Sequence, residues 1–223
     1  MASTRDALPI ASRLRISETF LSLQGEALSA GLPTFFIRLT GCPLRCQYCD
    51  TAYAFHGGEW RSIDQLVAAA TESAAPAVCV TGGEPLAQPN CTDLLTALCD
   101  AGFDVSIETS GAFPIEAIDS RVVRVVDIKT PGSAEANRTR WSNLAALRAT
   151  DVVKFVICSR EDFDWACGIV DQYELVHKVT VFFSPSYEEL SNRELADWLV
   201  ANPRRIRLQL QLHKLLWGDG PGR

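Results

Sequence analysis

The sequence predicts an α/β protein built on a largely parallel sheet, and three observations carry that expectation. From residue 34 onward, short runs rich in Val, Ile and Phe alternate with longer amphipathic runs, as in strand–helix–strand units with right-handed crossovers. Glycine, cysteine and charged residues gather directly after the strand-like runs, the edge on which parallel sheets and barrels place their sites. Of the 223 residues, 47% are hydrophobic and 22% charged, ordinary values for a soluble domain able to bury a core.

Taken in order, residues 14–33, "LRISETFLSLQGEALSAGLP", read as a leading strand and a glycine-containing loop. Residues 1–13 give no functional signal and read as a poorly ordered leader. Strands are predicted at 34–39, 77–81, 104–109, 122–129, 151–158, 178–183 and 205–212, on their β-branched and aromatic content. Helices are predicted at 63–73, where Ser62 supplies the N-cap, and at 91–102, between Asn90 and the C-terminal Gly102. Three more are predicted at 141–149, 160–174 and 192–202, and the tail "WGDGPGR" reads as irregular. No internal repeat, low-complexity tract or long linker interrupts the pattern, so 1–223 read as a single domain.

Composition excludes several function classes. The net charge of -6 does not suggest a basic nucleic-acid surface. No run approaches the roughly 18 apolar residues of a membrane span, and the N-terminus lacks the apolar stretch of a secretory signal. Eight cysteines without such a signal point to the reducing cytoplasm, where clustered thiols hold metal more often than they form disulfides.

The cluster is "GCPLRCQYCDT" at 41–51, with Cys42, Cys46 and Cys49 spaced C-x3-C-x2-C after the 34–39 strand. Three thiolates leave one iron of a 4Fe–4S cube open to a chelating ligand; a zinc site with a distant fourth ligand is the other reading. The other five cysteines fall within strands and helices and read as small buried hydrophobes. Strand alternation puts Phe36, Arg38 and Thr40 on the face opposite Phe35, Ile37 and Leu39. In 205–212 it puts Arg205, Arg207, Gln209 and Gln211, with His213 beyond, opposite Ile206, Leu208, Leu210 and Leu212. Arg38 and His213 can therefore line one interior cavity. The alternatives are a buried ion pair of Arg38 with Glu108 and a solvated edge for the last strand.

With "GGEP" at 82–85 after the next strand, the cysteine motif resembles that of the radical SAM enzymes. In them the three cysteines hold a 4Fe–4S cluster whose open iron binds S-adenosylmethionine. Tyr48 stands where that family packs the adenine, and Gly82, Gly83 and Glu84 match the loop that holds the methionine amino group. "LQGE" 23–26, "RLTGCPLRCQYCDT" 38–51, "TGGEP" 81–85, "ETSG" 108–111, "DIKTPGS" 127–133, "FSPS" 183–186 and "QLHKLLWG" 211–218 look like the 7-carboxy-7-deazaguanine synthase family. This resemblance extends from about residue 16 to 218.

It implies a partial (β/α)6-type barrel of the radical SAM class with an N-terminal strand and loop and a short C-terminal extension. It implies a lyase that converts 6-carboxy-5,6,7,8-tetrahydropterin to 7-carboxy-7-deazaguanine with release of ammonia, on the route to 7-deazapurines such as queuosine. The implied cofactors are the 4Fe–4S cluster, S-adenosylmethionine and Mg2+. The implied partners are a reducing electron donor such as flavodoxin or ferredoxin and a second copy of the chain. By the same resemblance Leu23, Gln24, Gly25, Glu26, Arg38, Thr81, Glu108 and His213 face substrate, with the Arg38 guanidinium pairing with the substrate's carboxylate, and Thr51 ligates magnesium with Asp50 beside it. Ser110, Lys129, Ser184, Pro185, Ser186 and Tyr187 join Tyr48 and Gly82–Glu84 around S-adenosylmethionine. A glycyl-radical-enzyme activase and a zinc-stabilised binding module are the alternative functions.

Overall fold

A computed structural model describes residues 12–218, 220 and 222 of the chain. Nine strands make a single open sheet in the order β3-β1-β2-β4-β5-β6-β7-β8-β9. The seven from β2 (Pro33–Leu39) through β4 (Ala77–Gly82), β5 (Asp104–Thr109), β6 (Val123–Asp127), β7 (Val152–Ile157), β8 (Thr180–Pro185) and β9 (Ile206–Leu208) run parallel. The leading strand β1 (Arg13–Leu23) is antiparallel to β2 and to the edge strand β3 (Glu59–Ser62). The result is a mixed α/β sheet curved as a partial barrel and not closed by strand pairing.

Alternation assigns the two faces. Ile37, Val80, Ile107, Val126, Phe155 and Phe183 belong to the main core with Leu66, Leu95, Phe163 and Leu195 of the helices. Those helices are α1 (Ile63–Glu72), α2 (Cys91–Asp100), α3 (Arg160–Gln172) and α4 (Asn192–Ala201). The opposite face carries Arg38, Thr81, Glu108 and Lys154, which line a cavity, above a small apolar cluster of Ala27, Val125, Val152 and Phe182. Ser62 caps α1 by accepting from Gln65 N at 3.2 Å, and Gln65 returns the bond in a capping box. Asn90 precedes α2 but its side chain donates to Arg13 O at 2.9 Å, tying the helix start to β1. Gly102 lies just past the end of α2 with φ of 90°, as a helix C-terminus favours.

Several elements differ from the sequence expectation. The predicted strand 205–212 is only the three residues Ile206–Leu208; the chain turns at Gln209 and enters α5 (Leu212–Trp217). As the last strand, β9 pairs on one side only, and Leu208 remains 37% exposed, so the apolar alternation is not enforced by burial. The predicted helix 141–149 is a 3-10 turn over Trp141–Ala145, where Trp141 stacks on Tyr173 at 5.4 Å. The leader extends no further than residue 12, because Arg13 starts β1 and Leu14 is fully buried; residues 1–11 lie outside the described part. Strand β3, "EWRS", was not expected, since no apolar alternation marks it. Among the described residues no helix is long and apolar enough to cross a membrane.

Candidate active site

The cysteine loop leaves β2 at Leu39 and is held against the GGEP loop by backbone bonds. Gly83 N donates to Leu39 O at 3.1 Å and Glu84 N to Gly41 O at 2.8 Å. The approach is so close that a Cβ at Gly83 would lie 2.3 Å from Gly41 O and 2.8 Å from Cys42 Cβ. Cys42, Cys46 and Cys49 are all half-buried and line one cavity of about 230 Å³. Burial pushes the Cys46 thiol up to about 11, with Lys129 pulling the other way. Burial also raises Cys42. Buried thiols of this kind become thiolates on binding a metal. No three His, Cys, Asp or Glu groups among the described residues converge as the ligands of one ion would. Thiolates destined for separate irons of a cluster have no need to converge. A cysteine loop walled by side-chain-free Gly83 fits a 4Fe–4S cluster with a chelating ligand beside it.

Next to the thiols, Tyr48 lies beneath the Lys129 ammonium, 5.5 Å from the ring centroid. Its buried hydroxyl has no hydrogen-bond partner among the described residues, and neither has Asp127 Oδ1. Lys129 donates to Asp127 Oδ2 at 2.9 Å. Burial opposes its charge, but Asp127 and Cys46 more than offset this and keep the ammonium protonated. Ser110, Ser184, Pro185, Ser186 and Tyr187 also line the cavity. Their hydroxyl bonds run into the protein: Ser184 Oγ donates to Gln209 O at 3.0 Å and Ser186 Oγ to Glu189 Oε2 at 2.7 Å.

Glu84 is the one predicted site residue that does not line the cavity. It is fully buried and accepts from Leu86 N at 3.0 Å, Thr109 Oγ1 at 2.9 Å, Ser110 N at 2.7 Å and Ser110 Oγ at 2.5 Å. Four donors occupy the carboxylate, so it fastens the GGEP loop to the end of β5 and is not free to meet a ligand amine.

The far wall joins two segments distant in sequence. Leu23 ends β1 and Gln24, Gly25 and Glu26 follow it, and Gln211, His213 and Lys214 open α5. Leu212 N donates to Gly25 O at 3.0 Å. His213 packs so tightly on Gly25 that a Cβ there would fall 2.0 Å from its Nδ1. Burial lowers the His213 pKa, with Glu26 acting in the opposite sense, which favours a neutral imidazole. Gln211 Nε2 donates to Glu26 Oε1 at 2.9 Å, and the other Glu26 oxygen pairs with Lys154. Glu108 accepts from Thr81 Oγ1 at 2.9 Å and from Gln24 Nε2 at 3.4 Å. Thr51 Oγ1 donates to Asp50 Oδ1 at 2.8 Å, and Lys214 Nζ pairs with Asp50 Oδ2 at 3.0 Å. Burial works against the Asp50 carboxylate, but Lys214 and the Thr51 hydroxyl bring its pKa down to about 2.

Arg38 faces the cavity as its strand parity predicts, but its partner is Glu18 of β1, with Nε 2.7 Å from Oε1, and not Glu108. Sequence reasoning also missed Lys154, Gln211 and Lys214 as site residues. Lys154 had a readable signal: it is the polar residue on the inward parity of an otherwise apolar strand, "VVKFVI".

Comparison with known proteins agrees with this geometry. The radical SAM superfamily profile matches residues 36–124. A 7-carboxy-7-deazaguanine synthase of Chlorobaculum tepidum is 40% identical over 207 residues, 92% of this chain and 94% of that one. Those of Koribacter versatilis and Thermoplasma acidophilum are 38% and 35% identical, covering 92% and 93% of this chain and 97% and 99% of theirs. Among solved structures, QueE from Escherichia coli shares the fold with a TM-score of 0.75 at 24% identity, over 90% of this chain and 95% of that one. Identity at this level along nearly the full length of those relatives, with the cysteine and GGEP loops facing one cavity, places the chain in the 7-carboxy-7-deazaguanine synthase family of radical SAM enzymes.

Proposed function

We propose that the chain is a lyase that makes 7-carboxy-7-deazaguanine from 6-carboxy-5,6,7,8-tetrahydropterin with release of ammonia, in the queuosine pathway. One observation carries the reading: apart from Glu84, every residue named for the cluster, S-adenosylmethionine or substrate lines the same cavity. Cys42, Cys46 and Cys49 hold the 4Fe–4S cluster, and S-adenosylmethionine beside it supplies the radical chemistry when bound. Gly83 gives that ligand backbone access, Tyr48 offers it a ring face, and Lys129 sets a positive charge nearby. On the other wall, the Arg38 guanidinium matches a substrate carboxylate. Glu26, Glu108 and the neutral His213 supply acceptors for the pterin N–H groups, and Thr81 and Gln24 hold Glu108 in place.

The Thr51 hydroxyl spends its proton on Asp50, which leaves its oxygen lone pairs for Mg2+, a hard cation content with few protein ligands. The chain acts as one domain in the cytoplasm as a homodimer, and it takes its electron from a flavodoxin- or ferredoxin-type donor. The single nine-stranded sheet supports the one-domain reading. The activase and zinc-module alternatives are not favoured, given the relatives' shared name over nearly the whole chain.

The test is product analysis by mass spectrometry on anaerobically reconstituted enzyme given dithionite, S-adenosylmethionine, Mg2+ and the carboxytetrahydropterin. A carboxydeazaguanine that disappears in Cys46→Ala is the expected result. Reductive cleavage of S-adenosylmethionine without that product would overturn the substrate assignment.

A further inference from the structure

Between Ile16 and Glu18 the β1–β2 ladder shifts register. Ile16 faces Leu39 and Glu18 faces Arg38, so Ser17 is an extra residue with no partner in β2. In an unbroken ladder Ser17 would oppose Arg38, and Glu18 would oppose Ile37 with its side chain on the helix-covered face. The bulge instead sets Glu18 directly across from Arg38 on the cavity side. Bulges commonly re-aim a side chain in this way beside a site.

The contact that results is one-sided. Arg38 Nε donates to Glu18 Oε1 at 2.7 Å, and among the described residues its hydrogen bonds use Nε alone. A purely structural Arg–carboxylate pair favours two parallel bonds; here the terminal nitrogens stay available. Arg38 lines the cavity whereas Glu18 does not. Tyr53 Oη donates to the same Glu18 oxygen at 2.7 Å. It comes from the turn Ala52–Phe55 that follows Thr51 directly. The guanidinium carbon stands 5.8 Å from the Phe20 ring and 5.9 Å from the Tyr53 ring. Phe20 is itself stacked on Phe36 at 4.9 Å and 7°.

We infer that Glu18 and Tyr53 are positioning residues: they hold Arg38 by its Nε so that the Nη1–Nη2 fork faces the cavity, and so set selectivity for a substrate carboxylate. The inference rests on the proposed role of Arg38 and adds the device that aims it. It also gives Tyr53 the means to connect the Thr51 turn to the carboxylate anchor, so that the two are set by one hydrogen-bonded group.

The electrostatic alternative makes the opposite prediction, which makes the test sharp. If Arg38 acted only as a positive charge, removing Glu18 would unmask it and tighten acid binding. Dissociation constants would be measured by anaerobic calorimetry on reconstituted holoenzyme for S-adenosylmethionine, for the carboxytetrahydropterin, and for tetrahydropterin without the carboxylate. Glu18→Ala and Tyr53→Phe are expected to weaken binding of the acid about tenfold, with the other two ligands unchanged. Glu18→Gln keeps an acceptor for Nε and is expected to restore most of the affinity. Unchanged or tighter acid binding in Glu18→Ala would overturn the inference, as would equal losses for all three ligands. Wild-type enzyme that binds S-adenosylmethionine but not the carboxytetrahydropterin would instead overturn the proposed function.

Discussion

At the scale of single residues, the site is set by where side chains are missing as much as by where they are. Gly83 faces backbone at Gly41 O, an atom that cannot rotate away, and the Cβ of a cluster cysteine. A methyl there must displace the cysteine loop, and such overpacking typically costs about 1–3 kcal/mol. Gly83→Ala is therefore expected to fold but to load iron and sulfide severalfold less than wild type after reconstitution, with weakened S-adenosylmethionine binding. Normal iron and sulfide content would show that the loop has slack that the 2.3 Å approach denies. The glycine itself was legible from the GGEP motif, and Arg38 from strand parity. Glu18 was not, because a one-residue bulge leaves no mark in the hydrophobic pattern and inverts every parity argument upstream of it. Glu84 was legible as important but not as to its role. Only the structure shows Thr109 and Ser110 turning back onto its carboxylate.

At the scale of elements, strands buried on both faces were the easiest to read, since β4, β7 and β8 are largely apolar runs. Elements stabilised from one side only were not: β3 and β9 are edges, and α5 begins inside a run whose alternation reads as strand. The long β6–β7 connection shows what replaces a helix there. Arg124 of β6 and Asp151, just before β7, form a buried ion pair with side chains 2% and 0% exposed. Arg124 Nη1 also donates to Ile115 O at 3.0 Å and Nη2 to Ala146 O at 2.6 Å, while Asp151 accepts from Arg148 N at 2.7 Å. The pair thus pins the β5–β6 and β6–β7 connections together. Removing one partner strands the other charge in the core, so Asp151→Ala is expected to lose about 3–5 kcal/mol in urea unfolding. Pairing it with Arg124→Met removes the stranded charge and should recover much of that loss. A single-variant loss below about 1 kcal/mol would mean that water reaches this pair.

At the scale of the whole molecule, loops and a short helix bridge the two sides of the open sheet beside the cavity. The strand order places β1 near one end and β9 at the other, and no strand pairing joins them. The segments that follow these two strands meet instead. Leu212 N reaches Gly25 O, Gln211 reaches Glu26, His213 rests on Gly25, and Lys214 extends on to Asp50 beside the cysteines. The closure was hidden from the sequence because it joins residues about as far apart as the chain allows, through a helix too short to show a period. It divides labour between two walls. The cluster and S-adenosylmethionine side rests on the loops after β2, β4 and β5, whereas the substrate side joins Arg38, Thr81 and Glu108 of those strands to Gly25 and Glu26, which the C-terminal segment braces. Truncation after Leu210 removes α5 but none of the residues of the main core, so the shortened chain should still fold, load iron and bind S-adenosylmethionine near the wild-type affinity. It also takes away His213 and both braces, Gln211 on Glu26 and Lys214 on Asp50, and exposes the Glu26–Lys154 pair to water, where its attraction is screened. Binding of the carboxytetrahydropterin should therefore fall by at least about tenfold, and exchange at the Gly25 and Glu26 amides should quicken. Parallel titrations of the two ligands decide the matter: equal losses for both would show that the C-terminal segment supports the fold at large, and unchanged pterin binding would show that the substrate wall stands without it.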